Sequence, residues 1–165
     1  MKLVRVIVRF LFTSIAMARL GSYAARPTVN GFTIFSRNTH LGHDTHFNGM
    51  RVRGSGRVTI GSHFHSGQGC LIISAFHDYR RANKLPYGNL NVDKEVHIQE
   101  NVWIGDRVII LGGVKIGEGA IIQAGSVVSR DIAPLAIAGG NPALSFKTRD
   151  SAHYYRLKEE QIKRG

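Results

Sequence analysis

The chain has a single cysteine, Cys70, in 165 residues. No disulfide can form within it, so packing and hydrogen bonds must hold the fold, and a reducing compartment suits it. Leu71, Ile72 and Ile73 follow Cys70 and mark it as a small buried filler rather than a catalytic thiol. Acidic residues are almost missing from the first half. Residues 1–91 hold 12 Lys/Arg against 2 Asp/Glu, whereas residues 92–165 hold 10 against 9, within a net charge of +11. Such a basic half attracts polyanions: nucleic acid, anionic lipid or a phosphorylated small molecule. Zinc-ligand spacing, an RNP-type aromatic box and a basic heptad helix are all lacking, so no nucleic-acid partner is expected. Long apolar runs are lacking too. Arg5, Arg9 and Arg19 interrupt the N-terminus, which makes a poor membrane span. Residues 1–28 therefore form a basic, apolar segment, amphipathic over residues 1–20, that packs on the body or touches a membrane face.

What the chain does have is a period of six. Val92, Ile98, Ile104, Ile110, Ile116, Ile122 and Val128 are evenly spaced, and Val96, Val102, Val108, Val114, Ala120, Ser126 and Ile132 follow each by four. Six residues carry an α-helix off its own face, and the run exceeds any ordinary strand. A coil of short strands with a corner every six residues accommodates every position, with both series pointing inward and three hexads closing one turn. Upstream, Ile60, Ser66 and Ile72 keep the spacing, with Phe64, Cys70 and Phe76 four later; Leu41 and Phe47 repeat it. A frame shift at 53–57 marks a corner with an inserted residue. Residues 77–91 are polar, contain Pro86 and Gly88, and read as a loop extruded from the coil. Residues 150–165 read as a C-terminal helix capped by Asp150 or Ser151, with Leu157, Gln161 and Ile162 in its body. The expected fold is an all-β solenoid over 29–149, with an extruded loop and a C-terminal α-helix.

The stretch "HIQENVWIGDRVIILGGVKIGEGAIIQAGSVVSRDI", the later "AGGNP" and the upstream "SAFHD" resemble the hexapeptide-repeat acyltransferases. The likeness is to the branch of maltose, galactoside, xenobiotic and polysaccharide O-acetyltransferases. It implies a left-handed parallel β-helix, although the period alone permits either hand. It also implies a cytoplasmic homotrimer, with acetyl-CoA as co-substrate, no metal, and sites in clefts between subunits. The basic N-terminus adds peripheral contact with the inner membrane face as an expectation.

The resemblance puts the catalytic base at His77, in "SAFHD". Imidazole ordinarily titrates at about pH 6.5, so its neutral form can take a proton from a sugar hydroxyl. His77 follows Phe76, read as inward, so its own side chain should point outward. Trp103, the single tryptophan, should also point outward and wall the cofactor cleft. Ala124, Ser129, Arg130 and Lys147 match family positions that contact pantetheine or the phosphates of CoA. Leu144 stands where relatives often carry a basic residue; either that phosphate contact is lost or Arg149 replaces it. Asn48, Asp78 and Tyr87 are the acceptor-side candidates, Asp78 equally as a loop residue. Arg80, Arg81 and Lys84 on the loop suit an anionic acceptor.

Other readings compete. The acceptor nucleophile is an amine of a nucleotide-linked amino sugar in one, and an antibiotic hydroxyl in another. A solenoid also serves as a non-catalytic scaffold. Zinc, as in carbonic-anhydrase-like solenoids, is a further alternative, because His40, His43 and His46 are evenly spaced and His63 and His65 lie two apart. No carboxylate or cysteine is read as completing either set.

Overall fold

The computed structural model describes residues 2–164; Met1 and Gly165, the outer ends of the two terminal segments expected from the sequence, lie outside the described residues. Helix α1 (Lys2–Met17) precedes β1 (Ser22–Tyr23), β2 (Thr28–Val29), β3 (Thr39–Leu41), β4 (His46–Phe47), β5 (Met50–Arg53) and β6 (Val58–Ile60). There follow β7 (His65–Ser66), β8 (Cys70–Ile73), β9 (Ala75–His77), β10 (Asn91–Asp93), β11 (Val96–Ile98) and β12 (Trp103–Ile104). The chain continues through β13 (Ile109–Leu111), β14 (Lys115–Ile116), β15 (Ile121–Ile122), β16 (Val127–Val128), β17 (Ala136–Gly139), β18 (Leu144–Thr148) and α2 (Ser151–Arg164).

These short strands stack into three parallel sheets, one for each side of a prism. Strands β1, β3, β6, β11 and β14 make the first face. The second holds β2, β4, β7, β12, β15 and β17, with β18 added antiparallel at its end, and the third holds β5, β8, β13 and β16. Register states the period directly: Ile98 lies on Ile116, Ile104 on Ile122 and Ile110 on Val128, each 18 residues on. Three hexads therefore make one turn. The earlier turn is longer by one, with Leu41 on Ile60, and the extra residue falls where the frame shift was expected, near Gly54 in its left-handed conformation.

The inward series is the core. Ile98, Ile104, Ile110, Ile116, Ile122 and Val128 are fully buried, as are Val102, Val108 and Ala120 between them. Each large aliphatic side chain contributes roughly 1.5–3 kcal/mol by leaving water. Toward the N-terminal end the filler becomes aromatic: Phe47 packs against Phe35 at 4.9 Å and Phe64 at 5.4 Å. Main-chain hydrogen bonds tie turn to turn, as where the Trp103 N–H donates to Ala120 O and the Gly105 N–H to Ile122 O. Gly105 has no room for more: a Cβ there would sit 2.6 Å from the Ala124 nitrogen.

Two expected inward positions are corrected. Val92 and Phe76 leave the lattice and pair with each other across an antiparallel two-stranded base formed by β9 and β10, with Phe76 46% exposed. A chain leaving and re-entering the prism must pair with itself, and that pairing overrides the six-residue spacing. Cys70 is buried, and burial raises its thiol pKa, in keeping with a filler role.

The ends are closed by the helices. Thr13 and Ala16 of α1 are buried and Phe12 packs against the core, so the last turns of α1 cover the N-terminal end. Its earlier turns project, with Val4, Ile7, Val8 and Leu11 exposed. No helix among the described residues is long and apolar enough to cross a membrane. At the other end Asp150 caps α2, accepting the His153 N–H at 2.7 Å. Tyr154 lies flat over Gly119, whose φ of +67° and lack of a side chain both permit it.

Replacing Ile104 by alanine should cost about 2–5 kcal/mol, read as a lowered urea midpoint with the far-ultraviolet spectrum preserved. An unchanged midpoint would contradict the stacked core.

Candidate functional site

The extruded loop rises from the end of the third face. His77 ends β9, opposite Asn91 of β10, and its ring is exposed. It stacks on Tyr87 with centroids 3.9 Å apart and planes 6° from parallel, so residues ten apart in sequence share one rim. Asp78 points the other way. It is 5% exposed, its N–H donates to Leu90 O, and its carboxylate accepts the backbone N–H groups of Arg80 and Arg81 and pairs with the Arg81 guanidinium. Those contacts, led by the Arg81 side chain, hold the carboxyl below its ordinary pKa. The acid staples the loop's first turn, and the geometry leaves it no hydrogen bond to the imidazole beside it.

Trp103 stands outward on β12, 56% exposed. It lines a cavity of about 610 Å³ together with His65, Arg149, Tyr154, Leu157 and Lys158. His77 is on another side of the prism and does not line that cavity. Lys147 is exposed on β18, and register places it on the outward row of Trp103: Trp103 beside Ile121, Ile121 beside Ile137, Ile137 beside Lys147. Three strand spacings separate the ring from the lysine, roughly 14 Å. Ala124 lies at the corner between the second and third faces, beside a cleft with Gln68, Gly69, Asp106 and Arg107. Ser129 and Arg130 are exposed at the next corner, on the far side of the third face. One chain thus brings Trp103 and Lys147 onto one wall and leaves Ala124, Ser129 and Arg130 at two edges.

Asn48 is exposed beyond β4. Its Oδ1 accepts from Asn30 Nδ2 at 3.0 Å and its Nδ2 donates to Ser66 O at 2.8 Å, so it joins three successive turns. Arg149, the expected replacement for the basic residue missing at Leu144, is partly engaged. Its guanidinium donates to Gly119 O at 3.1 Å and lies 4.8 Å from the Tyr154 ring.

Two clusters escaped the sequence reading. In the first, Lys158 of α2 bridges Glu100 at 2.7 Å and Glu118 at 2.6 Å, and the Tyr154 hydroxyl donates to Glu118 at 2.8 Å. Burial alone would raise the Glu118 carboxyl, but the Lys158 and Tyr154 hydrogen bonds outweigh it and hold the pKa below ordinary. Glu100 and Glu118 push the Lys158 ammonium up, and burial followed by Glu118 pushes the Tyr154 phenol up. In the second cluster, Asp44 accepts from His46 Nε2 at 2.7 Å and from His63 Nδ1 at 3.0 Å, while His65 stacks on His46 at 4.4 Å. Burial, then His46, lowers the His65 pKa. The carboxylate found missing from the histidine sets is Asp44. The lattice could have revealed it, because the turn that stacks Leu41 on Ile60 also stacks His46 on His65. His63 is not on β7 with His65 but at a corner with φ +56°.

Residues 95–130 match the family model described as bacterial transferase hexapeptide (six repeats). The chain is 32% identical over 132 residues to the galactoside O-acetyltransferase of Lactococcus lactis subsp. lactis, covering 74% of this chain and 63% of the relative. It is 32% identical over 111 residues to a chloramphenicol acetyltransferase of Escherichia coli, covering 58% and 53%. The chain thus spans less than two thirds of either relative. A variant of AntD, an N-acyltransferase from Bacillus cereus in complex with dTDP-4-amino-4,6-dideoxyglucose and coenzyme A, superposes with a TM-score of 0.73 at 22% identity, covering 88% of this chain and 85% of that one. The shared fold is the left-handed parallel β-helix.

The Lys158 network has a pH signature. Glu118 contributes fully above pH 4.5, its unfolded value, and the contribution disappears as pH falls through the lower folded value. Lys158 contributes fully below pH 10.5 and loses this only as pH rises through its higher folded value. Lys158→Ala should therefore lower Tm by about 2–4 °C at pH 7, for a network worth about 1 kcal/mol. The gap should narrow as pH falls below 4.5, and one that keeps its full size however far the pH is lowered before unfolding would refute the assignment.

Proposed function

Starting from a chain that carries the hexapeptide repeat of bacterial transferases on their left-handed β-helix, we propose that it transfers acetyl from acetyl-CoA to a hydroxyl of a sugar or polysaccharide precursor. The observation that carries the reading is His77. Its imidazole is exposed at the loop rim, braced by Tyr87, and among the described residues neither ring nitrogen is held by a protein hydrogen bond. A base must meet its substrate with its lone pair free, and stacking orients the ring without occupying that lone pair. The acceptor oxygen attacks the thioester carbonyl as His77 Nε2 or Nδ1 takes its proton. The C–S bond then breaks, and the imidazolium returns the proton to the departing thiolate.

Trp103 and Lys147 support a cofactor track along the second face, the ring beside the thioester and pantetheine and the ammonium toward the phosphates. Ala124, Ser129 and Arg130 belong to the same site only where a neighbouring copy brings a second wall, so the reading includes a homotrimer with clefts between subunits. Asn48 and Tyr87 lie on the acceptor side, and Asp78 acts through the loop it fixes. The outward apolar side of α1, in a segment with no acid before Asp44, suits peripheral contact with the inner face of a membrane in a cytoplasmic protein.

A second acceptor class is a nucleotide-linked amino sugar, with an amine as nucleophile. Arg80 and Lys84 favour it, because they lie on the loop that carries His77 and suit a pyrophosphate, and AntD is bound to such a sugar.

Release of CoA thiol with a panel of sugars and amino sugars tests both. His77→Ala should lower turnover by about 10²–10⁴-fold while leaving acetyl-CoA binding intact. Turnover unchanged at alanine would remove the base from the mechanism. Light scattering should give three times 18.2 kDa.

A further inference from the structure

Asp44, His46, His63 and His65 form a group on the second face that the transfer reaction does not use. Parallel register places His46 directly beside His65 on β4 and β7, both outward. Asp44 and His63 stand two residues before each, at corners with φ of +48° and +56° that turn their side chains toward the same spot. One ligand atom each from Asp44, His46 and His65 lie within 4.8 Å of one another. We propose that these three residues bind one divalent transition-metal ion, zinc or cobalt in type, with His63 as the group that orients the carboxylate.

Donor chemistry selects the ion. Two imidazole nitrogens and one carboxylate oxygen are a borderline set suited to zinc and its neighbours, whereas calcium and magnesium require all-oxygen shells. Tetrahedral ligands at about 2.0–2.2 Å from a metal stand roughly 3.3 Å apart. Asp44 Oδ1 and His46 Nε2, now 2.7 Å apart, have to separate slightly, and His65, within 4.8 Å of both, has to swing inward by no more than about 1.5 Å. Both are side-chain torsions on exposed groups, with the strands unmoved. His65 is the telling member. Among the described residues its ring nitrogens have no hydrogen-bond partner, although its ring is stacked on His46, 7° from parallel. His63 Nδ1 bonds the second oxygen of Asp44 at 3.0 Å, which leaves the first oxygen for the ion and fixes the carboxylate plane.

Three protein ligands leave a fourth position. Asp44 and His65 line the cavity that Trp103 also lines, so that position opens onto the cavity, where water or a ligand atom can fill it. A bound ion would cross-link two turns of the coil through side chains.

The test uses the full chain without a histidine tag, titrated with Co2+ and followed by its visible absorption, and with Zn2+ in competition with a chromophoric chelator. One equivalent should bind, with the intense cobalt bands of a four-coordinate site. His65→Gln and Asp44→Asn should each weaken affinity at least tenfold, and His63→Gln should weaken it by a smaller factor. His40→Gln, whose ring is tied to Ser22, should change nothing. Absence of a one-equivalent site, or binding that survives both His65→Gln and Asp44→Asn, would show a hydrogen-bonded cluster only and overturn the proposal. None of these readouts depends on acetyl transfer, so the outcome stands apart from the role of His77.

Discussion

The stacking of like on like every 18 residues is the constraint from which the rest follows. Ile98, Ile104 and Ile110 each look inward from a different face, and each lies on its successor one turn later. No single turn encloses a core, because its side chains meet only two others across the prism. Adding a turn buries the exposed edge of the last, so stability grows by nearest-neighbour increments and the two ends need covers. Phe35, Phe47 and Phe64 widen the filler toward α1, and Tyr154 with the Lys158 network seals the α2 side.

The same stacking makes the outward positions a ruled grid. Parallel strands in register repeat side-chain positions at one strand spacing, so His46, His65 and Trp103 form a row without any local turn or helix arranging them. Such a row is rigid, since each backbone is bonded on both sides. Chemistry that needs fixed distances, such as a metal shell or a pantetheine track, gains its geometry from the grid. His77 is different in kind. It stands where the grid breaks, on an antiparallel base and beside Tyr87, and only the excursion lets a side chain reach beyond the plane of the face.

Charge follows this division. The basic excess of residues 1–91 is spread over α1, the early corners and the loop, with Asp44 and Asp78 as the only acids. Both acids are engaged, Asp44 by two imidazoles and Asp78 by Arg81. Residues 92–165 nearly balance their charges, and Lys158 pairs with Glu100 and Glu118. The net positive field is thus concentrated in the half that holds the loop and α1.

The sequence by itself determined the coil though not its hand, because a hydrophobic period of six over seven hexads fits a three-sided solenoid and neither a helix nor a single strand, and the extruded loop interrupts it with polar residues and Pro86. The cap at Asp150 was equally legible, since capping is local. What only the tertiary structure decided lies across turns or at breaks in the period. Phe76 and Val92 obeyed the spacing yet left the core, because a departing chain pairs with itself. Arg149, read as a cofactor contact, donates to Gly119 O and lies against the Tyr154 ring, and Asp44, two residues from His46, also meets His63 from 19 residues away. Periodicity specifies which residues point in, which is a one-dimensional property. Which outward side chains meet depends on register between turns 18 or 19 residues apart and on where the helices fold back, and those contacts form only when the prism is closed.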